Sequence, residues 1–302
     1  MNAPHFNITI YAPAGRLWAS QALTRAETFL RRSGHHVHLD AAVGQAHQRF
    51  AGDDETRLAA VHRLMRDTQT NIALAARGGY GWTRLLGRLD YGALARDKKI
   101  WLGHSDCTAF QLAALAKAQR ITFAGPMACY DFGAEEVSAF TVKHCFELLA
   151  ADRYEITCAL RGARALTTTG QLWGGNLTMV THLIGTPYFP RIDDGILFLE
   201  DVNEEPYRVE RMLYQLHHSG VLARQRAVLL GHFVEPKASE QMTSYTLDTA
   251  IEHIQRVSGV PFFSGLLLGH VRDKLTLPVG APCELTIDSN GQTRLVCWGY
   301  RG

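Results

Sequence analysis

Ile100-Trp101-Leu102-Gly103-His104-Ser105-Asp106-Cys107-Thr108 is the stretch that decides the fold. An apolar run ending at Leu102 has the character of a strand, and the chain becomes helical in pattern near Thr108. A buried strand delivered through a short turn into a helix is the repeating unit of a parallel sheet covered by helices. The serine on that turn projects its hydroxyl away from the backbone, and the first amides of the following helix point at whatever oxygen it attacks. Position 107 is Cys rather than the second Gly of a G-x-S-x-G elbow, and Cys is small enough for a tight turn. Serine before a helix is also a common N-cap, so the role of Ser105 depends on its partners.

Upstream of the turn, strands and helices alternate. Asn7 to Ala12 has strand character and Pro13-Ala14-Gly15 forms a loop at its carboxyl end. A helix from about Ser20 to Arg32 puts Leu23, Ala26, Phe29 and Leu30 on one face and stops at Gly34, and His36 to Leu39 is the next strand. Asp54 to Asp67 is helical, with Leu58, Val61, Leu64 and Met65 inward, and the wholly apolar core of Asn71 to Ala76 suits a central strand. That strand runs into Arg77-Gly78-Gly79-Tyr80-Gly81, which has too little side chain to be packing filler. A helix over 107–119, a strand over Ile121 to Ala124 and a helix from about Glu135 to Leu149 complete this half.

Beyond Ala150 the regular alternation gives way to short strands and Thr-rich pieces, which places a domain boundary near residues 150 to 165. The chain divides into an N-terminal parallel-sheet α/β domain over 1–155 and a C-terminal mixed β/α, barrel-like domain over 156–302. In the second, Ile196 to Leu199 and Ala227 to Leu230 are strands, helices start near Pro206 and Leu247, and Ser289-Asn290-Gly291 turns a closing hairpin.

At 302 residues with 46% hydrophobic and 20% charged content and a net charge of +2, the chain has the make-up of an ordinary globular protein. Its arginines are dispersed, so nucleic acid is not an expected partner. No segment has the length of a membrane span or the layout of a secretory signal, which points to a cytoplasmic protein without a membrane partner. The six cysteines form no C-x-x-C pair, so thiols are expected; Cys283 and Cys297, equidistant from Asn290, are placed to face each other across the hairpin.

A serine nucleophile needs a base within hydrogen-bond reach and an acid to orient it. Among fourteen histidines, His270 follows Gly269 at the end of the apolar segment Pro261 to Leu268, where a loop residue enters a cleft; a turn-filling histidine has the same local signature. His104 neighbours the serine and suits support of the loop, and His217 and His218 end a helix, where imidazolium favours the dipole. Glu200, after the apolar run Ile196 to Leu199, sits where a carboxylate is held rigidly and partly desolvated. Glu204 and Glu205 suit the start of the helix at Pro206, and Asp201 a turn. No second carboxylate cluster has metal-ligand spacing, so no metal is expected. The amides of Asp106 and of the Gly78-Gly79 loop are candidate oxyanion donors. That loop has neither the lysine nor the spacing of a phosphate cradle.

Taken in order, Arg77-Gly78-Gly79-Tyr80-Gly81, Gly103-His104-Ser105-Asp106, Leu172-Trp173-Gly174-Gly175-Asn176, Leu199-Glu200-Asp201-Val202-Asn203-Glu204 and Gly269-His270 resemble the LD-carboxypeptidases, the muramoyltetrapeptide carboxypeptidases of murein recycling. The resemblance implies a serine peptidase with Ser105 as nucleophile, Glu200 as orienting acid and His270 as general base. It implies oxyanion donors at Gly78 and Asp106, substrate contacts at Gly79, Tyr80 and Asn176, no cofactor, and a homodimer. The implied reaction releases the terminal D-Ala of a murein tetrapeptide or muropeptide at an L-D peptide bond. Arg77, Arg208 and Arg272 are candidates for the substrate's free carboxylate. Two other readings are a microcin-resistance type peptidase acting on aminoacyl-nucleotide conjugates, and a non-catalytic α/β binding protein in which Ser105 only caps a helix.

Overall fold

A computed structural model describes residues 5–18, 20–162, 164–234, 236 and 244–301. In chain order the first half runs β1 (Asn7–Tyr11), α1 (Ser20–Arg32), β2 (His36–Leu39), α2 (Asp54–Arg66), β3 (Ile72–Ala75), α3 (Tyr91–Arg96), β4 (Ile100–Gly103), α4 (Cys107–Ala118), β5 (Thr122–Ala124) and α5 (Ala139–Ala150). The second half runs β6 (Arg153–Ala159), β7 (Arg161–Gly162), β8 (Leu166–Asn176), α6 (Leu177–His182), β9 (Gly195–Val202), α7 (Pro206–His218), β10 (Gln225–Val234), α8 (Leu247–Ser258), β11 (Phe262–Ser264), β12 (Leu277–Val279), β13 (Pro282–Ile287) and β14 (Gln292–Trp298).

The six-stranded first sheet has the order β12-β5-β4-β3-β1-β2. Pairings among β1 to β5 are parallel, and β12 returns from the far end of the chain to pair antiparallel with β5. The strand order reverses between β1 and β3, and in open α/β sheets ligands bind at such a switch point, beyond the carboxyl ends of the strands. The loops at those ends are Ala12–Gly15 and Arg77–Gly81, with the Ser105 turn one strand further along. Strand β3 is buried at every position, as its unbroken apolar sequence requires of a strand covered on both faces.

The second sheet has eight strands in the order β6-β14-β13-β8-β9-β10-β11-β7. Its two edge strands, β6 and β7, are consecutive in the chain and separated only by Leu160, so the sheet curls around until its edges approach. Strands β8, β9, β10 and β11 are mutually parallel, and β13, β14 and β6 are antiparallel to their neighbours. Cys283 and Cys297 are directly opposite in the β13–β14 pair; both are buried thiols.

The two sheets are joined where β8 meets α4. Gly175 lies so close to α4 that a Cβ there would come within 2.4 Å of Thr108 Oγ1, and the amide of Asn176 donates to the same oxygen at 3.0 Å. Gly175 therefore lets the helix that follows Ser105 sit directly on the second sheet, while Gly174 makes room for the Phe198 backbone of β9.

Candidate active site

Ser105 occupies the left-handed region with φ 63°, an uncommon conformation for a residue with a side chain, costing roughly 1–2 kcal/mol. The turn is tight because Gly103 has no side chain: a Cβ there would lie 2.9 Å from Cys107 Sγ and 3.0 Å from the Ala75 Cβ. Cys107 thus takes the place of the second elbow glycine by packing over the first.

The glycine loop after β3 closes on this turn. A Cβ on Gly78 would fall 2.9 Å from Ser105 Cβ and 3.0 Å from its Oγ, and 3.6 Å from the Asp106 amide nitrogen. Only glycine permits that approach, which sets the backbone of the loop against the hydroxyl and the first amide of α4. Asp106 locks the arrangement, its Oδ2 accepting from the Trp82 amide at 2.9 Å. Burial pushes the Asp106 carboxyl up to about 7, against the opposing pull of the Trp82 and Gly81 amides and of Arg57. The fully buried Arg57 donates to the carbonyls of Pro13 at 2.7 Å and Gly81 at 3.0 Å, tying the β1 and β3 loops together. Gly79 follows with φ 85°, and Tyr80 is half exposed at the rim.

From the second sheet, β9 carries Glu200 to its carboxyl end, 1% exposed. His270 Nδ1 donates to Glu200 Oε2 at 2.8 Å, which leaves Nε2 as the imidazole's free nitrogen. Gly269, at φ 116°, admits the carboxylate: a Cβ there would stand 3.0 Å from Glu200 Oε2. The His270 ring lies 5.1 Å, edge to face, from the ring of His104, the residue that precedes Ser105. The structure therefore brings residues 105, 200 and 270 to one place from three distant parts of the chain. Ser105 and His270 share no hydrogen bond here, a contact that in many hydrolases tightens only with substrate bound.

Several residues around His270 escaped the sequence reading. Lys274, fully buried, pairs with Asp131 at 2.7 Å and lies 4.6 Å from the ring centre of Tyr130, whose hydroxyl donates to the His270 carbonyl at 3.4 Å. Burial raises the Asp131 carboxyl and Lys274 opposes it. His104 Nδ1 donates to the Gly125 carbonyl at 2.9 Å; burial first, then Lys274, holds its imidazole well below the usual range, so it stays neutral. The one sequence signal was a charged residue inside the otherwise apolar run Met127 to Phe132.

Asn176 lies at the junction of β8 and α6. It caps α6, accepting from the Met179 amide at 3.2 Å and donating to Asp201 Oδ1 at 2.8 Å, and it is 6% exposed. Asp201 also accepts from Thr178, so this buried carboxylate braces β8 against β9 instead of closing a turn. Among the described residues no group of three or more His, Cys, Asp or Glu is arranged to hold a metal ion. No described helix is long and apolar enough to cross a membrane.

The chain is similar to known proteins along most of its length. The model of the LD-carboxypeptidase N-terminal domain matches residues 8–125, and that of the C-terminal domain matches residues 169–285. A probable murein peptide carboxypeptidase of Bacillus subtilis is 32% identical over 266 residues, spanning 87% of this chain and 83% of that protein. The solved structure of a muramoyltetrapeptide carboxypeptidase from Oxalobacter formigenes superposes with a TM-score of 0.92 at 40% identity, covering 98% of this chain and all of the other. The microcin C7 self-immunity protein of Escherichia coli is 25% identical over 311 residues, spanning 92% of this chain and 89% of that protein.

Proposed function

The chain belongs to the LD-carboxypeptidase family, and from that premise we propose that it is a metal-independent serine peptidase releasing the terminal D-Ala of a murein tetrapeptide at an L-D bond. The observation that carries this reading is the His270–Glu200 bond of 2.8 Å standing beside the strained Ser105 turn. Ser105 attacks the scissile carbonyl carbon while His270 Nε2 takes the hydroxyl proton. The carbonyl oxygen becomes an oxyanion between the amides of Asp106 and of the Gly78-Gly79 loop. Collapse breaks the C–N bond, His270 delivers its proton to the departing D-Ala amine, and an acyl-serine remains. Water then repeats the sequence, its proton passing to His270 and back to Ser105 as the acid product leaves. Buried Glu200 fixes the tautomer of His270 and stabilises the imidazolium formed in each step.

The leaving residue lies on the His270 side, because its amine must receive that proton. Arg208 is paired with Glu204 on the exposed side of α7, and Arg77 immediately precedes the candidate oxyanion loop. Arg272, two residues after His270, lines a cavity of about 290 Å³ with Tyr130 and Glu136; its 3.5 Å pair with Glu136 is exposed on both sides and so is weak enough to exchange for the terminal carboxylate, which supports Arg272 as the group that meets it. We place the enzyme in the cytoplasm, as a homodimer acting in murein recycling without a cofactor. Its halves divide near residue 155, with β12 lent across to the first sheet.

The experiment is mass-spectrometric detection of D-Ala release from a murein tetrapeptide by the wild type and by Ser105→Ala. Release by the wild type alone supports the reading; equal release by both rejects the nucleophile. An aminoacyl-nucleotide conjugate assayed in parallel separates the activity suggested by the relation to the microcin self-immunity protein.

A further inference from the structure

Three arginines crowd the switch-point end of the first sheet, beside the candidate oxyanion loop. Arg16 follows Gly15, whose amide donates to the Gly78 carbonyl at 3.1 Å, and the Arg16 amide donates to the Arg49 carbonyl at 2.9 Å. Arg77 immediately precedes Gly78, and its guanidinium donates to the Arg16 carbonyl. The guanidiniums of Arg16 and Arg77 lie 4.5 and 5.8 Å from the ring centre of Trp18, and that of Arg49 lies 5.8 Å from Tyr80. Trp18 is 71% exposed and Tyr80 is 42% exposed, so the aromatic groups holding these cations face the outside of the fold.

The neighbouring cations are treated differently. Arg57 and Arg84 both pair with Asp54, whereas none of Arg16, Arg49 and Arg77 stands in an ion pair among the described residues. Like charges held together without a counter-ion repel one another, and burial together with Arg49 disfavours the protonated form of Arg77. An incoming anion relieves that repulsion, and planar guanidiniums match a carboxylate with two parallel hydrogen bonds.

We propose that Arg16, Arg49 and Arg77, held by Trp18 and Tyr80, form a subsite for a carboxylate on the acyl side of the scissile bond. The side follows from the chemistry already given: the leaving residue lies toward His270, and the oxyanion loop that these arginines continue lies toward the part of the substrate retained on Ser105. This inference rests on the peptidase reading and adds a specificity: the enzyme selects peptides bearing a free side-chain or α-carboxylate upstream of the residue it attacks.

Two tetrapeptides test it, identical in length and leaving residue, one with its acyl-side carboxylates free and one with them amidated. A third has only its terminal carboxylate amidated. Wild type and the double variant Arg16→Ala, Arg49→Ala are compared on all three; Arg77 is left in place because it also supports the loop. The wild type is expected to favour the free peptide over its acyl-side amide by tenfold or more in kcat/KM, chiefly through KM. That preference is expected to weaken as ionic strength rises. The double variant is expected to cut those two peptides equally well, while its loss on the terminal amide matches that of the wild type. An unchanged preference in the variant, or coupling to the terminal carboxylate instead, overturns the subsite. D-Ala release from none of the peptides by the wild type rejects the peptidase reading itself.

Discussion

Replacing Glu200 by Gln removes a charge while keeping the size and one acceptor oxygen, so it separates electrostatics from packing. The carboxylate is 1% exposed and its oxygen is 2.8 Å from His270 Nδ1. Both charges are delocalised over their groups, so their centres are about 4 Å apart in the step that creates the imidazolium; at an effective dielectric near 20 the attraction is about 4 kcal/mol. At about 1.4 kcal/mol per decade that is a thousandfold in rate, and glutamine returns a little through a neutral hydrogen bond. The expected loss in kcat is therefore between about 100- and 1,000-fold, with KM nearly unchanged because the charge forms only on the way to the acyl-enzyme. Steady-state release of D-Ala measures it, with a thermal melt as control for folding. A well-folded Glu200→Gln protein that keeps kcat within tenfold of the wild type would refute the assignment of Glu200 as the partner of a base.

Gly78→Ala puts a methyl group 2.9 Å from Ser105 Cβ and 3.0 Å from Oγ, so kcat is expected to fall by roughly 100-fold or more while circular dichroism stays native. Arg272→Ala is expected to raise KM by about tenfold with little change in kcat, a split that steady-state kinetics on the tetrapeptide resolves. Asp106 has a folded-state pKa of about 7 against an unfolded value near 3.8, so the folded protein binds the extra proton between those limits. Its contribution to stability is full below about pH 4 and is lost as pH rises through 7, on the order of 4 kcal/mol in total. Asp106→Asn cannot ionise; denaturant unfolding from pH 4 to 8 is expected to show wild type losing stability relative to the variant, and a constant gap would count against the buried ionisation.

Much of the first sheet was legible because its helices are amphipathic and cleanly stopped. The predicted helix over Ser20 to Arg32 has those bounds in the structure, with Leu23, Ala26 and Leu30 buried as the periodicity requires. The helix expected from Glu135 starts instead at Ala139, because Ser138 caps it by accepting from the Thr141 amide at 3.1 Å and is itself bonded to Asp273. Acidic residues before a helix imitate a first turn, and only the distant loop decided between them. The π-helical geometry of the turn Ala128–Phe132 was not legible: the lone charge of Asp131 marks the stretch, but its partner Lys274 comes from across the fold. Strand β12 was equally hidden: three residues long, it acquires its strand character from pairing with β5, far back in the chain.

At the site, the residues proposed to carry the chemistry stand out in the sequence, and their supports do not. Ser105 and Glu200 lie at or near the ends of apolar strands and His270 follows the apolar segment Pro261 to Leu268, a pattern visible in one dimension. The glycines of Trp173-Gly174-Gly175-Asn176 marked a close approach, but nothing in the sequence named Thr108 as the group approached. The bonds of Asn176 to Asp201 and to the start of α6 left no mark in the sequence either. Hydrogen-bond partners remote in sequence leave no periodicity to read.

The central claim is that the hydroxyl of Ser105 is activated by His270. Intact-protein and peptide mass spectrometry after treatment with a serine-directed phosphonate tests it most directly. A single adduct on Ser105 is expected in the wild type, and its near absence in His270→Ala. An adduct on another residue, or labelling of Ser105 at the same rate without His270, would contradict it.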